Sequence, residues 1–249
     1  MSGASPLAGK TALVTGAAKR IGHAVALELA RNGVNVVVHY RHSSEYALET
    51  ADAIRATGVR TWTLSADLAD PDAAAGLMSR AVKTAGPIDI LVNSASAFPE
   101  DTLRDFSLDR LRQSIAVNAF APLVLSRRFA SQDREGAIIN FLDARMNDYD
   151  RGHVSYQLAK QMLASLTGMM ANEFAPAIRV NAVAPGLVLP PEGKDDAYLH
   201  SLAHTNPLNA VGTVAEVTDA VLFLLRSPFV TGQVIYVDGG RHLRSSVHV

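Results

Sequence analysis

Cysteine is missing from all 249 residues of the chain. Without a thiol, the protein can form no disulfide, no thiolate metal site and no cysteine nucleophile. Eight histidines are present, but no pair of them has the spacing and the neighbouring carboxylate that a zinc site needs. We therefore expect no bound metal, and a chain without disulfides is expected to be cytoplasmic.

An excess of charge of one sign is also missing. The 23 Lys and Arg residues nearly balance the 24 Asp and Glu residues, and the sequence contains no basic run. A nucleic acid or an anionic membrane surface is therefore not expected as a partner.

Long apolar runs are missing as well. No stretch approaches the roughly 18–20 apolar residues that a membrane-spanning helix needs. The first six residues, Met1 to Pro6, have neither the positive charge nor the apolar segment of a signal peptide. We therefore expect no association with a membrane.

Short apolar segments alternate with amphipathic ones along a chain that is 48% hydrophobic. The segments predicted as strands are 11–15, 34–38, 61–65, 88–92, 136–141, 178–183 and 234–237. Those predicted as helices are 21–30, 45–57, 71–84, 108–130 and a helix that carries residues 156 and 160 and ends near residue 174. This alternation is typical of a parallel sheet covered on both faces. The sequence predicts one α/β domain over residues 1–249, a doubly wound Rossmann-type sheet with its ligand site at the carboxyl ends of the strands.

Residues 15–22, Thr-Gly-Ala-Ala-Lys-Arg-Ile-Gly, join the first predicted strand to the first helix. Gly16 allows a tight turn, and Gly22 allows the helix to pack closely against it. The N-terminus of that helix presents free N–H groups to a phosphate. After the first strand of a doubly wound chain, this pattern predicts a dinucleotide site.

The end of the second strand offers no carboxylate. An NAD-binding domain usually has one there, about 20 residues after the glycines, for the ribose 2′-hydroxyl. The residues at this place are, in order, His39, Tyr40, Arg41, His42 and Ser43. The last three suit a 2′-phosphate, and Lys19 would add a further cation. The sequence therefore predicts NADPH as the cofactor, and the alternative is that these side chains are solvated loop residues.

Tyr156 and Lys160 stand four residues apart on a predicted helix, so their side chains share one face. A phenol with a pKa near 10 is a poor acid or base at neutral pH, and an ammonium within about 4–6 Å lowers that pKa. The spacing alone also fits a surface Lys packed on a Tyr. The dinucleotide turn earlier in the chain favours a catalytic pair.

Seven motifs, in order, resemble those of the short-chain dehydrogenase/reductase family, and the resemblance covers nearly the whole chain. They are the turn at residues 15–22, Asp67-Leu68, Asn93-Ser94-Ala95, Asn118, the pair Tyr156 and Lys160, Pro185-Gly186 and Asp238-Gly239-Gly240. The resemblance implies that Tyr156 transfers a proton, that Lys160 binds the nicotinamide ribose and tunes the Tyr, and that Asn118 holds a water in a proton relay. It also implies a homotetramer.

The same resemblance implies the cofactor contacts. Asp67 and Leu68 would meet the adenine, and Asn93 the adenosine ribose region. The expected cofactor-binding residues are Gly16, Lys19, Arg20, Ile21, Gly22, His39, Tyr40, Arg41, His42, Ser43, Asp67, Leu68, Asn93, Ala95, Ser96, Lys160, Pro185, Gly186 and Val188. A lid over the substrate is predicted at residues 187–205, which include a Pro-, Gly- and Asp-rich insertion, and a plain surface loop is the alternative.

Two departures from the family pattern indicate one of its branches. The family carries a Ser thirteen residues before the Tyr, where this chain has Asp143, and a glycine in the middle of the first turn, where it has Arg20. With residues 93–98, these look like the pteridine reductase branch, and residues 238–244 look like its bacterial dihydromonapterin- and dihydrofolate-reducing relatives. In that branch a pterin lies between the nicotinamide and an aromatic ring. The expected substrate-binding residues are Arg20, Ser96, Phe98, Asp143, Tyr156 and Leu187.

The chemistry of these residues leads to the same hypothesis. An ionised Asp143 disfavours the Tyr156 phenolate and raises its pKa, which suits donating a proton to a ring nitrogen and opposes removing one from an alcohol. Phe98 offers a π-face to a flat heterocycle, and Arg20 can donate in a planar fork. We predict an NADPH-dependent reductase of a pterin C=N bond, and its expected catalytic residues are Tyr156, Lys160, Asp143 and Asn118. Two alternatives are a carbonyl reductase, such as one acting on a 3-oxoacyl thioester, and a non-catalytic NADP-binding sensor.

Overall fold

The computed structural model describes residues 5–146 and 150–244. Within them, seven strands form one sheet in which every pairing is parallel. In chain order the strands are β1 (Thr11–Val14), β2 (Asn35–Tyr40), β3 (Thr61–Ser65), β4 (Ile90–Asn93), β5 (Gly136–Phe141), β6 (Ile178–Pro185) and β7 (Val234–Val237). Their order across the sheet is β3-β2-β1-β4-β5-β6-β7. The predicted doubly wound Rossmann-type fold is confirmed.

Helices connect the strands and cover the sheet. They are α1 (Arg20–Arg31), α2 (Ser44–Arg55), α3 (Pro71–Ala85), α4 (Leu108–Ile115), α5 (Ala121–Ala130), α6 (Val154–Glu173), α7 (Asp196–Ser201) and α8 (Val214–Arg226). The sequence reasoning missed α7 and α8, although α8 begins with a capping box between Thr213 and Glu216 that is a sequence signal for a helix start. None of these helices combines the length and the apolar content that crossing a bilayer requires.

The core has two layers, one on each face of the sheet. Leu13 of β1 pairs with Val37 of β2 and Leu91 of β4, and all three side chains are fully buried. Fully burying a side chain of this size contributes about 1.5–3 kcal/mol to the free energy of folding. One face of the sheet packs against α1, α2 and α8, and the other packs against α3, α5 and α6. This double cover explains why the central strands are apolar throughout.

The helix predicted over residues 108–130 is divided in the structure. Between α4 and α5, residues Ala116–Phe120 form one π-helical turn, in which the Ala121 N–H donates to the Ala116 carbonyl five residues before it. Pro122 accounts for this break, because it has no N–H to donate to the Asn118 carbonyl four residues before it. Such turns often occur at functional sites, and this one contains Asn118.

The predicted lid, residues 187–205, contains helical structure of its own. It includes α7 and a short 3₁₀ turn, Ala203–Thr205. At the start of the segment Leu187 and Val188 are buried, and the Leu187 carbonyl accepts from the Gly212 N–H at 2.9 Å. The predicted lid is therefore anchored at its first residues, and its movement stays a prediction.

Two glycines in helices provide a test of the packing around the β1–α1 turn. A Cβ atom at Gly22 of α1 would lie 2.3 Å from the Gly16 carbonyl oxygen, whereas a Cβ atom at Gly76 of α3 meets nothing within 4 Å. We expect Gly22→Ala to lower the free energy of unfolding by about 1–3 kcal/mol through overpacking. Gly76→Ala is the matched control and should raise it by about 0.5–1 kcal/mol. Urea denaturation of both variants gives the result, and a Gly22→Ala variant as stable as the native chain would contradict the packing argument.

Candidate active site

The connections after β1 and β4 are held together where the strand order reverses. Thr15 follows β1, and its Oγ1 accepts from the Ser94 and Ala95 N–H groups, each at 3.0 Å. Gly16 approaches the same segment so closely that a Cβ atom would lie 2.8 Å from the Ala95 Cα. In a doubly wound sheet the ligand crevice forms at this switch point. The sequence-predicted residues Gly16 and Ala95 therefore meet at the expected place.

The first turn of α1 fits a phosphate group. Lys19 is its N-cap but makes no side-chain capping bond, and the turn contains no acidic residue. Its N–H groups thus keep their capacity for an anion. Arg20 adopts φ +57°, a left-handed conformation in which glycine is unstrained. This backbone requirement explains why a glycine is usual at this position. The residues present fit the pyrophosphate of a dinucleotide.

The residues predicted to hold a 2′-phosphate lie where β2 leads into α2. Arg41 and His42 are exposed, whereas Tyr40 and Ser43 are half-buried. Ser43 is the N-cap of α2, and its hydroxyl makes no capping bond within the described part of the chain. Lys19 lies near the same helix, with its Nζ 3.8 Å from the centroid of the Tyr46 ring. The structure therefore gathers two cations, Lys19 and Arg41, and the imidazole ring of His42 around the start of α2.

His39 differs from its neighbours, because its ring is buried and both nitrogens are used. Nδ1 accepts from the Gly16 N–H at 3.1 Å, and Nε2 lies 3.2 Å from the Ala66 carbonyl, to which it donates. Burial lowers the pKa of His39 to about 4, so the ring is neutral at physiological pH. The His39 ring thereby links the backbone of the turn after β1, at Gly16, to the backbone just after β3, at Ala66. The sequence predicts His39 as a cofactor-binding residue, and a direct side-chain bond from it to the cofactor would require breaking one of these two contacts.

The adenine and ribose positions expected from the sequence lie at the neighbouring strand ends. Leu68 is buried, and Asp67 is exposed, with its Oδ1 accepting from the Ala69 N–H at 3.0 Å. Asn93 is buried and donates from Nδ2 to Asn140 Oδ1 at 2.8 Å. Its own Oδ1 is buried and has no hydrogen-bond partner among the described residues, so one acceptor remains open at the end of β4.

Tyr156, Lys160 and Asp143 meet at the N-terminal part of α6. The Tyr156 hydroxyl donates to Asp143 Oδ2 at 3.1 Å, and the Lys160 ammonium donates to the Phe141 carbonyl at 2.7 Å. Lys160 Nζ lies 5.6 Å from the centroid of the Tyr156 ring. These side chains line one cavity together with Arg145, Met146, Asp150 and Gln157. The structure therefore brings together three of the four residues predicted to be catalytic.

The electrostatics of this cluster favour a protonated Tyr156. Burial and the neighbouring Asp143 carboxylate raise the pKa of Tyr156 well above its usual value of 10. Burial lowers the pKa of Lys160 to about 8, and Asp143 opposes that shift. Arg145 lowers the pKa of Tyr156 against these effects but does not prevail over them. This tyrosine is arranged to donate a proton.

The side chain of Asn118 is fully hydrogen-bonded within the protein. Its Oδ1 accepts from Ser96 Oγ at 2.8 Å and from the Ala97 N–H at 3.2 Å. Its Nδ2 donates to the Ala97 carbonyl at 2.8 Å and to Ser114 Oγ at 3.1 Å. These four bonds use the capacity of the amide. The backbone carbonyl, which Pro122 leaves without an α-helical donor, is therefore the atom of Asn118 that could hold a water.

Phe98 lies beside the cluster, as expected for a substrate platform. Its ring meets the Tyr156 ring edge-on, with 4.6 Å between centroids. The sequence reasoning missed that one face of Phe98 is already covered, because His153 stacks on it with 3.9 Å between centroids. His153 Nδ1 lies 3.1 Å from Asp150 Oδ2, and Arg145 pairs with the same oxygen at 2.5 Å. Position 153 is three residues before Tyr156, so helical spacing could have indicated it.

The start of the predicted lid touches the nucleotide turn. Arg20 donates from its guanidinium to the Pro190 carbonyl at 2.7 Å, so it joins residues far apart in sequence. Pro185, Leu187 and Val188 are buried at the end of β6 and just beyond it, and a Cβ atom at Gly186 would lie 2.7 Å from Asp238. These residues form the rim of the crevice at β6.

Known proteins are similar to this chain over most of its length. Residues 16–242 match the family model described as Enoyl-(Acyl carrier protein) reductase. The chain is 33% identical over 247 residues to an uncharacterised oxidoreductase of Mycobacterium tuberculosis, covering 93% of this chain and 91% of that protein. It is 31% identical over 242 residues to the 3-oxoacyl-(acyl carrier protein) reductase FabG of Staphylococcus aureus, covering 94% and 98%. It is similar to the crystal structure of FolM alternative dihydrofolate reductase 1 from Brucella canis complexed with NADP, with a TM-score of 0.89, 32% identity and coverage of 96% and 97%.

His39 provides a test of the turn through the pH dependence of stability. Its pKa is about 4 in the folded chain and about 6.5 in the unfolded one. Above pH 6.5 neither state is protonated; as the pH falls from 6.5 to 4, only the unfolded state takes up a proton. We therefore expect His39 to reduce the free energy of unfolding by about 3 kcal/mol at pH 4 relative to pH 7.

The matched variant is His39→Asn, which does not titrate in this range and retains an acceptor for the Gly16 N–H. Urea denaturation at several pH values should show a weaker loss of stability on acidification for the variant than for the native chain. Parallel pH profiles for the two proteins would contradict a neutral, buried His39.

Proposed function

Because this chain belongs to the short-chain dehydrogenase/reductase family of oxidoreductases, we propose that it reduces a C=N bond of a dihydropterin with NADPH. The observation that carries the proposal is the hydrogen bond from Tyr156 to Asp143. Reduction of a C=N bond needs a hydride at carbon and a proton at nitrogen. When bound, NADPH supplies the hydride, and the chain supplies the proton.

Tyr156 is the proton donor in this proposal. Its pKa is raised by burial and by Asp143, so the phenol keeps its proton until a basic atom comes close. A ring nitrogen that gains electron density during reduction is such an atom. An alcohol substrate would instead require the phenolate as a base, and the carboxylate at Asp143 disfavours that form.

Asp143 assists the transfer from the far side of the phenol. Its Oδ1 accepts from the Arg145 N–H at 2.7 Å, while its Oδ2 accepts from Tyr156. Because an ionised Asp143 disfavours the phenolate, it favours the return of a proton from solvent to Tyr156 after turnover, so the two groups act as a coupled pair. A water on the Asn118 carbonyl would connect the site to solvent.

Lys160 and the turn after β1 would hold the cofactor. In the structure the Lys160 ammonium bonds the Phe141 carbonyl, and it can donate further hydrogen bonds to the nicotinamide ribose because an ammonium has three donors. The open first turn of α1 fits the pyrophosphate. Arg41, His42 and Ser43 fit a 2′-phosphate, and the FolM neighbour, crystallised with NADP, supports this choice of cofactor.

Phe98 and Arg20 fit a pterin. The heterocycle is flat, so it can lie against the face of Phe98 that His153 leaves uncovered. Its amide-like edge offers acceptors to a guanidinium, and Arg20 can reach toward it if the bond to Pro190 opens. The printed name of the FolM neighbour, a dihydrofolate reductase, supports a substrate of this class.

A second candidate is a carbonyl reductase acting on a 3-oxoacyl thioester. The similarity to FabG favours it, since the two chains align over nearly their full length. In that reaction Asp143 would occupy the place of a hydroxyl that polarises a carbonyl oxygen. A carboxylate has no proton to offer to that oxygen unless it is protonated, so the residues present fit this candidate less well.

The substrate class can be tested by following NADPH oxidation with dihydrobiopterin, dihydromonapterin, dihydrofolate and a 3-oxoacyl thioester. We expect turnover with at least one of the three pterin substrates. Tyr156→Phe should lower kcat by about 10²–10⁴-fold, because the proton donor is lost.

Asp143→Ser separates the two candidates further, since it restores the usual hydroxyl. We expect this variant to lose dihydropterin turnover by about 10²-fold or more and to gain activity toward the thioester. A native enzyme that reduces the thioester but no pterin would refute the pterin proposal.

The cofactor preference can be tested by direct titration with NADPH and NADH. We expect Arg41→Ala to weaken NADPH binding by about 10-fold or more, the value of one charged hydrogen bond, and to leave NADH binding unchanged. Arg55→Ala is the matched control, because Arg55 is an exposed cation at the other end of α2, paired with Asp52. Equal affinity of the native protein for both nucleotides would overturn the choice of NADPH.

A further inference from the structure

Asp101 is a buried acid in an otherwise exposed segment. The segment, residues 94–107, connects β4 to α4 and contains no helix or strand. Asp101 is 2% exposed, whereas Phe98 and Leu103 on either side are 43% and 77% exposed. Burying a carboxylate costs free energy unless hydrogen bonds compensate for the lost water. The hydrogen bonds that compensate for burying the Asp101 carboxylate therefore indicate its structural role.

The backbone of Asp101 pairs with the residues that lead into α6. Its N–H donates to the Gly152 carbonyl at 2.9 Å, and its carbonyl accepts from the Val154 N–H at 3.2 Å. Together these bonds form a short parallel bridge opposite His153. The segment after β4 is thus joined to the start of the helix that carries Tyr156.

The carboxylate of Asp101 caps that helix from a distance in sequence. Oδ1 accepts from the Ser155 N–H at 3.0 Å, and Oδ2 accepts from the Ser155 hydroxyl. His153 is the N-cap residue of α6 and provides no side-chain cap. A negative charge at a helix N-terminus is favourable, and an acceptor for one of the first N–H groups does what an N-cap residue does.

These contacts converge on the ring of Phe98. Phe98 stands three residues before Asp101, stacks on His153 and meets Tyr156 edge-on. His153 is the residue opposite Asp101 in the bridge, and Tyr156 follows the serine that Asp101 binds. The side chain of Phe98 is 43% exposed, so core packing alone does not fix its position.

We propose that Asp101 is a positioning residue, which fixes Phe98 beside Tyr156 by tying residues 94–107 to the first turn of α6. The identity of the substrate rests on the proposed function, in which a flat dihydropterin stacks on Phe98. The contacts of Asp101 with residues 152–155 do not depend on which substrate binds. Loss of Asp101 should loosen Phe98 and weaken substrate binding, while the cofactor turn, at β1 and α1, stays unaffected.

The variant Asp101→Ala removes both carboxylate contacts and keeps the backbone bridge. We expect KM for the dihydropterin to rise about 10-fold, with a smaller change in kcat and no change in NADPH affinity. Asp101→Asn retains an acceptor for the Ser155 N–H and should have an intermediate KM. Asp105→Ala is the matched control, because Asp105 lies in the same segment but is exposed, and its carboxylate accepts from the Thr102 N–H and hydroxyl. This variant should behave as the native protein.

A double-mutant cycle shows whether Asp101 acts through Phe98. In a Phe98→Ala background, we expect Asp101→Ala to add little to KM, because the ring that it positions is gone. Additive effects on KM would overturn the proposal, and so would a loss confined to kcat.

Hydrogen exchange separates this proposal from the identity of the substrate. In the native protein without substrate, Asp101→Ala should speed exchange of the Val154 and Ser155 amides and of the amide at position 101 by about 10-fold or more, while α1 and β1 keep native rates. Unchanged exchange at Ser155 would refute the tie, whatever the enzyme reduces. Absence of dihydropterin turnover in the native enzyme, with the exchange result as expected, would refute only the proposed substrate.

Discussion

Because all seven strands run parallel, their carboxyl ends emerge at one edge of the sheet, and the chemistry of the protein collects there. The turn between Gly16 and Gly22 follows β1, Arg41 and His42 follow β2, Asn93 ends β4 and Asp143 comes just after β5. This constraint brings together residues that are more than a hundred positions apart. The residues at the end of β6 and just beyond it form the rim of this crevice.

The balance of charge at Tyr156 sets the direction of the chemistry. Lys160 alone would favour a phenolate, but burial and Asp143 favour the phenol. A low dielectric strengthens the influence of the Asp143 carboxylate, which accepts a hydrogen bond from the Tyr156 hydroxyl at 3.1 Å. In the proposed reaction, this one side chain after β5 favours Tyr156 as a proton donor and disfavours the phenolate base that alcohol oxidation requires.

Much of this site could be predicted from the sequence, because its signals are local. A turn with Gly16 and Gly22 after an apolar strand, and Tyr156 one helical turn from Lys160, depend on spacing along the chain. The strands were predicted for the same reason, since most of them are short segments rich in apolar and β-branched residues. The π-helical turn was missed although its cause, Pro122, is visible, because the pattern of apolar residues continues through it.

The sequence by itself determined the fold class, the nucleotide turn and the presence of the Tyr–Lys–Asp set. Only the tertiary structure decided the states of these groups. In the sequence His39 is one more polar residue after a predicted strand. In the structure its ring is buried, is neutral at physiological pH and links two backbone segments. Asp101 reads as a loop acid, yet it caps a helix 53 residues later. Burial and long-range hydrogen bonds depend on which segments fold against each other, and periodicity along a chain does not encode them.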